Sequence, residues 1–257
     1  MGYTRKRWWC RNGVMVMEYH TRTRHPPGEH RAKREKPTPE AKRQANQRRK
    51  ALEVQRLILH NFSAGDKYVT LTYASGDAPD MDTVRKDLRH LTEWLKRQYA
   101  KTGLELKWIR NIERTKRGVI HIHMLVNNPP GRDMGREIRS WWKDRHGTIV
   151  KVSDTYLDGA FAKLAAYLSK SQRDESGAMT SRYSRSRNLV VPDPEIKEFA
   201  RWNVRRKGVW IDPRIPKGYE LVKESLYEGI DLITGYPIRY YTLIRSGTGG
   251  TCGARKA

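Results

Sequence analysis

Two histidines occupy alternate positions of an apolar segment, GVIHIHMLVN (residues 118–127). The segment is typical of a buried β-strand, and residues two apart in a strand lie on the same face, so we expect His121 and His123 to point the same way. Neutral imidazole is the commonest metal ligand in proteins, which makes this pair a candidate metal site. The alternative is a pair of hydrogen-bonded histidines with a purely structural role.

A carboxylate, Glu113, ends the predicted strand that precedes the histidines. If the basic turn RTKRG (114–118) joins two antiparallel strands, residue 113 pairs with residue 119. Glu113 then shares a face with both histidines and lies diagonal to His121. Two imidazoles and a carboxylate suit Mg²⁺ or Mn²⁺ when a phosphate supplies further oxygens, and zinc is a third candidate. A one-residue slip would turn Glu113 to the other face. The alternative role for Glu113 is an exposed carboxylate at the strand end, paired with Arg114 or Arg117.

A tyrosine near the end of a predicted helix, 158–172, is the candidate nucleophile. Tyr167 falls at the edge of the apolar stripe, with Lys163 and Lys170 as its neighbours on the helix surface. Adjacent ammonium groups favour the phenolate and would stabilise a phosphate during transfer. The alternative is an amphipathic tyrosine at the flank of a helix. The stripe itself consists of Phe161, Leu164, Ala165 and Leu168.

The elements that must position these groups follow from local patterns. Strands are predicted at 67–74, 104–113, 119–127 and 148–153, and helices at 39–60, 80–99, 135–147 and 158–172. This order predicts an α+β fold with a central antiparallel sheet and flanking helices, similar to an RNA-recognition-motif arrangement. We expect a basic N-terminal arm and helix (1–52), a catalytic domain (53–192), a β-rich extension of the same domain (193–245) and a flexible tail (246–257).

The charge of the chain indicates a polyanionic partner. The 257 residues include 52 Lys and Arg against 28 Asp and Glu, a formal net charge of +24, and nucleic acid fits this excess better than an anionic membrane surface. We find no apolar run long enough to cross a bilayer and no signal-peptide pattern. The two cysteines, Cys10 and Cys252, lack zinc-finger or disulfide spacing, which suits a reducing cytoplasm.

Three segments in this order resemble the motifs of rolling-circle replication initiators, which are HUH endonucleases of small phages, plasmids and related integrated elements. The segments are YVTLTY (68–73), the acidic residue before GVIHIHMLV (118–126), and YLSK (167–170). The resemblance covers residues 45–245. It implies a metal-dependent nickase and strand transferase that acts at an origin in the cytoplasm of a bacterial host.

The resemblance also implies a role for each candidate residue. His121 and His123 match the paired histidines and Glu113 the upstream acidic ligand of Mg²⁺ or Mn²⁺. Tyr167 matches the nucleophile that remains linked to the 5′ end, and Lys170 matches the lysine of the tyrosine motif. Apart from the resemblance, we expect contacts with single-stranded and origin DNA from Thr70, Thr72, Lys163, Arg182, Arg185 and Arg187. A solvated loop is the alternative for the three arginines.

The sequence departs from some relatives in two respects. Positions one helical turn from Tyr167 are Lys163 and Ser171, which predicts a single-tyrosine enzyme, with Tyr156 as a spare candidate. The sequence has no GxxxxGK[ST] motif, so unwinding would fall to a host helicase working with the host replication machinery.

Three other functions remain open from the residues. A mobilisation relaxase usually has its tyrosine before the histidines, which here would be Tyr19. A single-tyrosine transposase shares the order of the motifs but is usually smaller. A non-catalytic nucleic-acid-binding module could use Tyr68, Tyr73 and Trp108 to stack on bases.

Overall fold

The computed structural model describes residues 2–20, 36–73, 79–115, 118–146, 150–155, 158–169, 181–200, 205–206, 209–231 and 235–246. The helices are α1 (Pro39–Asn61), α2 (Met81–Ala100), α3 (Met134–His146) and α4 (Ala162–Ser169), and a 3₁₀ turn (Asp158–Phe161) precedes α4. The strands are β1 (Gly2–Trp9), β2 (Gly13–His20), β3 (Lys67–Thr72), β4 (Trp108–Arg114), β5 (Ile120–Val126), β6 (Val150–Asp154), β7 (Ser181–Arg185), β8 (Glu195–Ala200), β9 (Arg205–Arg206), β10 (Val209–Trp210), β11 (Tyr219–Leu221), β12 (Tyr227–Ile230) and β13 (Pro237–Arg245). The predicted α+β class is confirmed.

The chain divides into two compact units. The first contains the described residues of Met1–His60, Leu157–Ala162 and Val191–Ala257, and the second those of Asn61–Tyr156 and Lys163–Val190. Each unit has its own antiparallel sheet, in the order β11-β13-β2-β1-β8 in the first and β6-β3-β5-β4-β7 in the second. The candidate histidines lie on β5, the central strand of the second sheet.

Helices α2 and α3 cover one face of the second sheet. The spacing of the buried residues on α2 puts Val84, Leu88, Leu91 and Leu95 on one stripe, and the Asp80 side chain caps this helix by accepting from the Thr83 amide at 2.7 Å. These residues form the main core with the alternate strand residues Val69, Leu71, Ile112, Ile120, Ile122 and Met124 and with Trp142 of α3. The opposite face of the central strands is therefore left for the candidate functional residues.

The first unit contains two segments that differ from the sequence-based prediction. Residues 2–20, expected to belong to a basic arm, form the β1–β2 hairpin. The C-terminal strands, expected to extend the catalytic domain, pair with this hairpin instead: β8 with β1, and β13 with β2. The predicted helix at 39–60 is confirmed as α1, whereas residues 21–35 and 247–257, part of the expected arm and most of the expected tail, lie outside the described residues.

A buried ionic network explains why a basic segment can form an internal strand. Glu18 of β2 is fully buried and accepts hydrogen bonds from Arg5 of β1 and Arg239 of β13. The network places two guanidinium groups around one carboxylate, so the charge of Arg5 is compensated by a residue on another strand.

Candidate active site

Polar side chains from three neighbouring strands share the face of the second sheet that α2 and α3 do not cover. The register pairs Thr70 and Thr72 of β3 with His123 and His121 of β5. It also pairs Glu113 of β4 with His121. We call this surface the site face; it carries Tyr68, Thr70, Thr72, Asn111, Glu113, His121 and His123.

The predicted register between β4 and β5 is wrong by two residues. Glu113 lies directly opposite His121 rather than diagonal to it, because the hairpin closes through Thr115 and Gly118 rather than through five turn residues. The Gly118 amide donates to the Thr115 carbonyl at 2.9 Å, and Gly118 has φ +80°. A shift of two residues preserves the face of each side chain, so the prediction that Glu113, His121 and His123 share one face is confirmed.

Hydroxyl groups of β3 fix one ring nitrogen of each histidine. Thr72 Oγ1 lies 3.0 Å from His121 Nδ1. Tyr68 Oη and Thr70 Oγ1 lie 3.0 and 3.2 Å from His123 Nδ1. A hydroxyl can accept as well as donate, so these contacts suit the Nδ1–H tautomer, in which Nε2 has the lone pair that a metal ion requires.

The carboxylate of Glu113 is in contact with one of the two imidazoles. Its Oε2 lies 3.5 Å from His123 Nε2, and both side chains are mostly buried, at 16% and 14% exposed. The ring centroids of His121 and His123 are 6.3 Å apart. The types of donor atom fit a divalent cation. Among the described residues, however, no group of three or more His, Cys, Asp or Glu side chains is close enough together to hold a metal ion.

Helix α4 places Tyr167 beside the histidines. Ala165 and Leu168 are fully buried, whereas Tyr167 is 58% exposed, as expected for a residue at the edge of the apolar stripe. Its ring centroid lies 6.4 Å from that of His123, and its backbone carbonyl accepts a hydrogen bond from Asn111 Nδ2 at 3.2 Å. The helix is therefore tied to the site face by a buried side chain of β4.

A second phenol, Tyr68, belongs to the site, although the sequence suggested only base stacking for it. Its ring is nearly parallel to that of His123, at an angle of 4° and a centroid distance of 6.1 Å. Burial is the largest effect and raises the pKa of Tyr68 to about 12; the hydrogen bond with Thr70 lowers the pKa by less, and the nearby charges of Tyr167 and Glu113 raise it by smaller amounts still. Tyr68 therefore stays a neutral hydroxyl at neutral pH. The signal for this role was its position two residues before Thr70 in the same strand.

Of the other predicted DNA-contacting and catalytic residues, some are exposed in the second unit, some lie outside the described residues, and one lies in the first unit. Lys163 is exposed on α4, and Arg185 and Arg187 are exposed at the end of β7. The Arg182 side chain, Lys170 and Tyr156 lie outside the described residues, so their predicted roles stay predictions. Tyr19, the tyrosine of the relaxase alternative, lies on β2 in the first unit.

Comparison with known proteins bears on the second unit. Residues 66–172 match the family model of replication-associated protein ORF2/G2P. This range runs from the start of β3 to just beyond α4 and includes the whole site face and Tyr167. The match supports a role in DNA replication and an interaction with DNA. No curated protein and no solved structure matches the chain, and none of the described helices is long and apolar enough to cross a membrane.

Proposed function

We propose that this protein initiates rolling-circle DNA replication by nicking one strand at an origin and remaining joined to it, as HUH endonucleases of the single-tyrosine type do. The observation that carries the proposal is the position of exposed Tyr167 beside His123, on the face that also holds Glu113 and His121. The match to replication-associated proteins supports the biological setting.

Tyr167 would be the nucleophile. Its phenolic oxygen would attack the scissile phosphorus, forming a bond to the 5′ phosphate while the bond to the 3′ oxygen breaks. The phenol loses a proton and the departing 3′ oxygen gains one, so the products are a 5′-phosphotyrosine and a free 3′ hydroxyl that can prime synthesis. The phosphotyrosine bond retains the energy needed to rejoin the strand.

The site face would hold Mg²⁺ or Mn²⁺ through Glu113, His121 and His123. When bound, such a cation would polarise the phosphate oxygens and stabilise the charge that develops on them. Thr72 would keep His121 in place, and Tyr68 with Thr70 would do so for His123.

The basic residues beside the nucleophile would offset the charge of the phosphate. Lys163 is exposed on the same helix as Tyr167, and Lys170 follows it in sequence. Since the sequence lacks a P-loop motif, a host helicase would separate the strands. These roles agree with the excess of positive charge, which favours contact with DNA.

The experiment that tests this function is a nicking assay on single-stranded circular DNA from the element that encodes the protein. The wild type is compared with Tyr167→Phe and with His121→Ala/His123→Ala, in Mg²⁺, Mn²⁺ or EDTA. Tyr219→Phe, a substitution on β11 in the first unit, is the matched control. We expect a covalent protein–DNA adduct that needs the metal, is lost in both site variants and persists in the control.

Other outcomes would identify the alternatives. An adduct that survives Tyr167→Phe would move the nucleophile to another tyrosine, and Tyr19 would then indicate a relaxase. Salt-sensitive DNA binding without any cleavage would contradict the nickase and leave a nucleic-acid-binding module.

A further inference from the structure

A cavity of about 600 Å³ lies in the second unit, between the C-terminal half of α2 and the chain that follows β7. Its wall includes one half-buried aromatic ring, Trp108, and three basic side chains, Lys96, Arg185 and Arg187. The basic side chains are exposed. Glu105 is the acidic residue of the wall, and its carboxylate accepts a hydrogen bond from Asn188 at 3.2 Å.

Trp108 is held in this wall from several sides. Its backbone amide donates to Ser186 Oγ at 3.1 Å, and its backbone carbonyl accepts from the Ser186 amide at 2.9 Å, which fixes the backbone at Trp108 to the segment that carries Arg185 and Arg187. The guanidinium carbon of Arg110 lies 4.3 Å from the ring centroid. Arg110 is itself anchored by hydrogen bonds to Ser184 and Thr92.

An ordered aromatic ring beside exposed cations is the combination that binds single-stranded nucleic acid. Bases stack on aromatic side chains without regard to sequence, while Lys and Arg neutralise the phosphates. The volume falls within the range of pockets that enclose small ligands, so the cavity has room for a nucleotide unit.

Strand β7 is the edge strand of this sheet and lies between the site face and the cavity, where Trp108 packs on the opposite face, the one that α2 covers. Ser181 pairs with Glu113 at one end of the strand, and Arg185 pairs with Ile109 at the other. The four-residue separation corresponds to about 13 Å along an extended strand. A DNA strand that passes around this sheet edge, from the site face to the face that α2 covers, would therefore reach the cavity within a few nucleotides of the site.

We propose that the Trp108 cavity is a second binding site for single-stranded DNA, which takes up nucleotides flanking those at the site face. This inference deepens the proposed function, because the flanking strand is the one that Tyr167 would cut. The cavity would hold the strand by stacking and phosphate contacts and would leave the choice of nick site to other residues.

The test measures the binding of fluorescein-labelled oligothymidylates of about 4 and about 16 nucleotides, which span the usual site sizes for single strands. Lys96→Glu/Arg187→Glu reverses two cavity charges. Lys86→Glu/Arg89→Glu makes the same change at exposed positions of α2 that do not line the cavity. Circular dichroism and thermal unfolding confirm that both variants fold.

We expect the cavity variant to bind the longer oligonucleotide about tenfold more weakly than the control variant. The slope of log K against the logarithm of the salt concentration should be less steep by about 1 to 1.5, as the loss of two phosphate contacts predicts. The short oligonucleotide should not distinguish the two variants. In the wild type, a photoreactive 5-iodouracil placed at successive positions should crosslink to Trp108 from at least one of them.

Equal losses of affinity in the two variants, or crosslinks that all fall elsewhere, would overturn the proposal. The nicking assay keeps this result separate from the proposed function. If the Tyr167 adduct forms but the cavity variant and the control variant bind the longer oligonucleotide equally well, the proposed cavity site is wrong and the proposed nickase function is supported. If no adduct forms but the cavity variant binds the longer oligonucleotide more weakly than the control variant, the nickase function is wrong and the DNA-binding cavity is supported.

Discussion

The hydroxyl groups of β3 are divided unequally between the two histidines of the site face. His121 Nδ1 has one hydroxyl within hydrogen-bond distance among the described residues, that of Thr72. His123 Nδ1 has two, from Tyr68 and Thr70. The sequence suggested DNA contact for both threonines, and their positions support a role in holding imidazoles, which alternation along β3 could have indicated once its pairing with β5 was known.

Because His121 Nδ1 has one hydroxyl neighbour and His123 Nδ1 has two, we expect substitutions of these hydroxyl groups to differ in effect. Thr72→Val preserves shape and removes the partner of His121, so we expect the metal affinity measured by titrating the nicking rate to fall about 10- to 100-fold. Thr70→Val and Tyr68→Phe should each have a smaller effect, because the other hydroxyl remains. The double variant Tyr68→Phe/Thr70→Val should match Thr72→Val. A Thr72→Val protein with wild-type metal dependence would contradict this role.

Within single helices and strands, the sequence patterns correctly predicted the features that depend only on residues near one another in the chain. The stripe of α2 and its Asp80 cap depend on residues within one helix, and both are confirmed. The start of α4 was missed because Ala160 and Phe161 adopt positive φ angles of 50° and 62°, which end the preceding turn and which no residue type there predicts. Strand β1 was missed because the burial of Arg5 depends on Glu18, on the next strand.

The β4–β5 hairpin is a case in which turn chemistry would have given the correct register. A three-residue loop whose last residue is a glycine with positive φ is a common hairpin connection, and Gly118 occupies that position. The assumption of a five-residue turn ignored this preference. The register matters because it sets Glu113 opposite His121.

We therefore predict that Gly118→Ala lowers the free energy of unfolding by about 1 kcal/mol, because a side chain is strained at this φ. A Cβ at this position would meet no atom within 4 Å, so the cost comes from the backbone alone. Gly118→Asn should regain part of the loss, since asparagine tolerates the left-handed region. Urea unfolding of the three proteins measures the difference. Equal stability of the alanine variant and the wild type would contradict the strain.

At the scale of the whole molecule, residues distant in sequence complete each unit. Strand β13 pairs with β2 although more than 200 residues separate them, so no local pattern could show that the C-terminal segment joins the N-terminal hairpin. This pairing brings Tyr241 close to the buried Glu18, to which its hydroxyl donates at 3.5 Å. Burial, followed by the charge of Glu18, raises the pKa of Tyr241 to about 12, against smaller lowering effects of nearby arginines.

The raised pKa of Tyr241 predicts a loss of stability at alkaline pH. Tyrosine ionises near pH 10 in the unfolded chain, so the stabilisation is fully present below pH 10. It declines as the pH rises toward 12, because the unfolded state releases a proton that the folded state retains. At pH 11 the loss from this phenol should be about 1.4 kcal/mol.

Urea unfolding at pH 8 and pH 11 tests this contribution by comparing the wild type with Tyr241→Phe. Lysine residues also lose charge in this range, which weakens the self-repulsion of a chain with a net charge of +24. That change is common to both proteins and cancels when their pH-dependent losses are subtracted. Tyr241→Phe should lose about 1.4 kcal/mol less than the wild type between the two pH values, whatever its stability at pH 8. Parallel losses would mean that the Tyr241 phenol ionises in the folded protein as readily as in the unfolded chain.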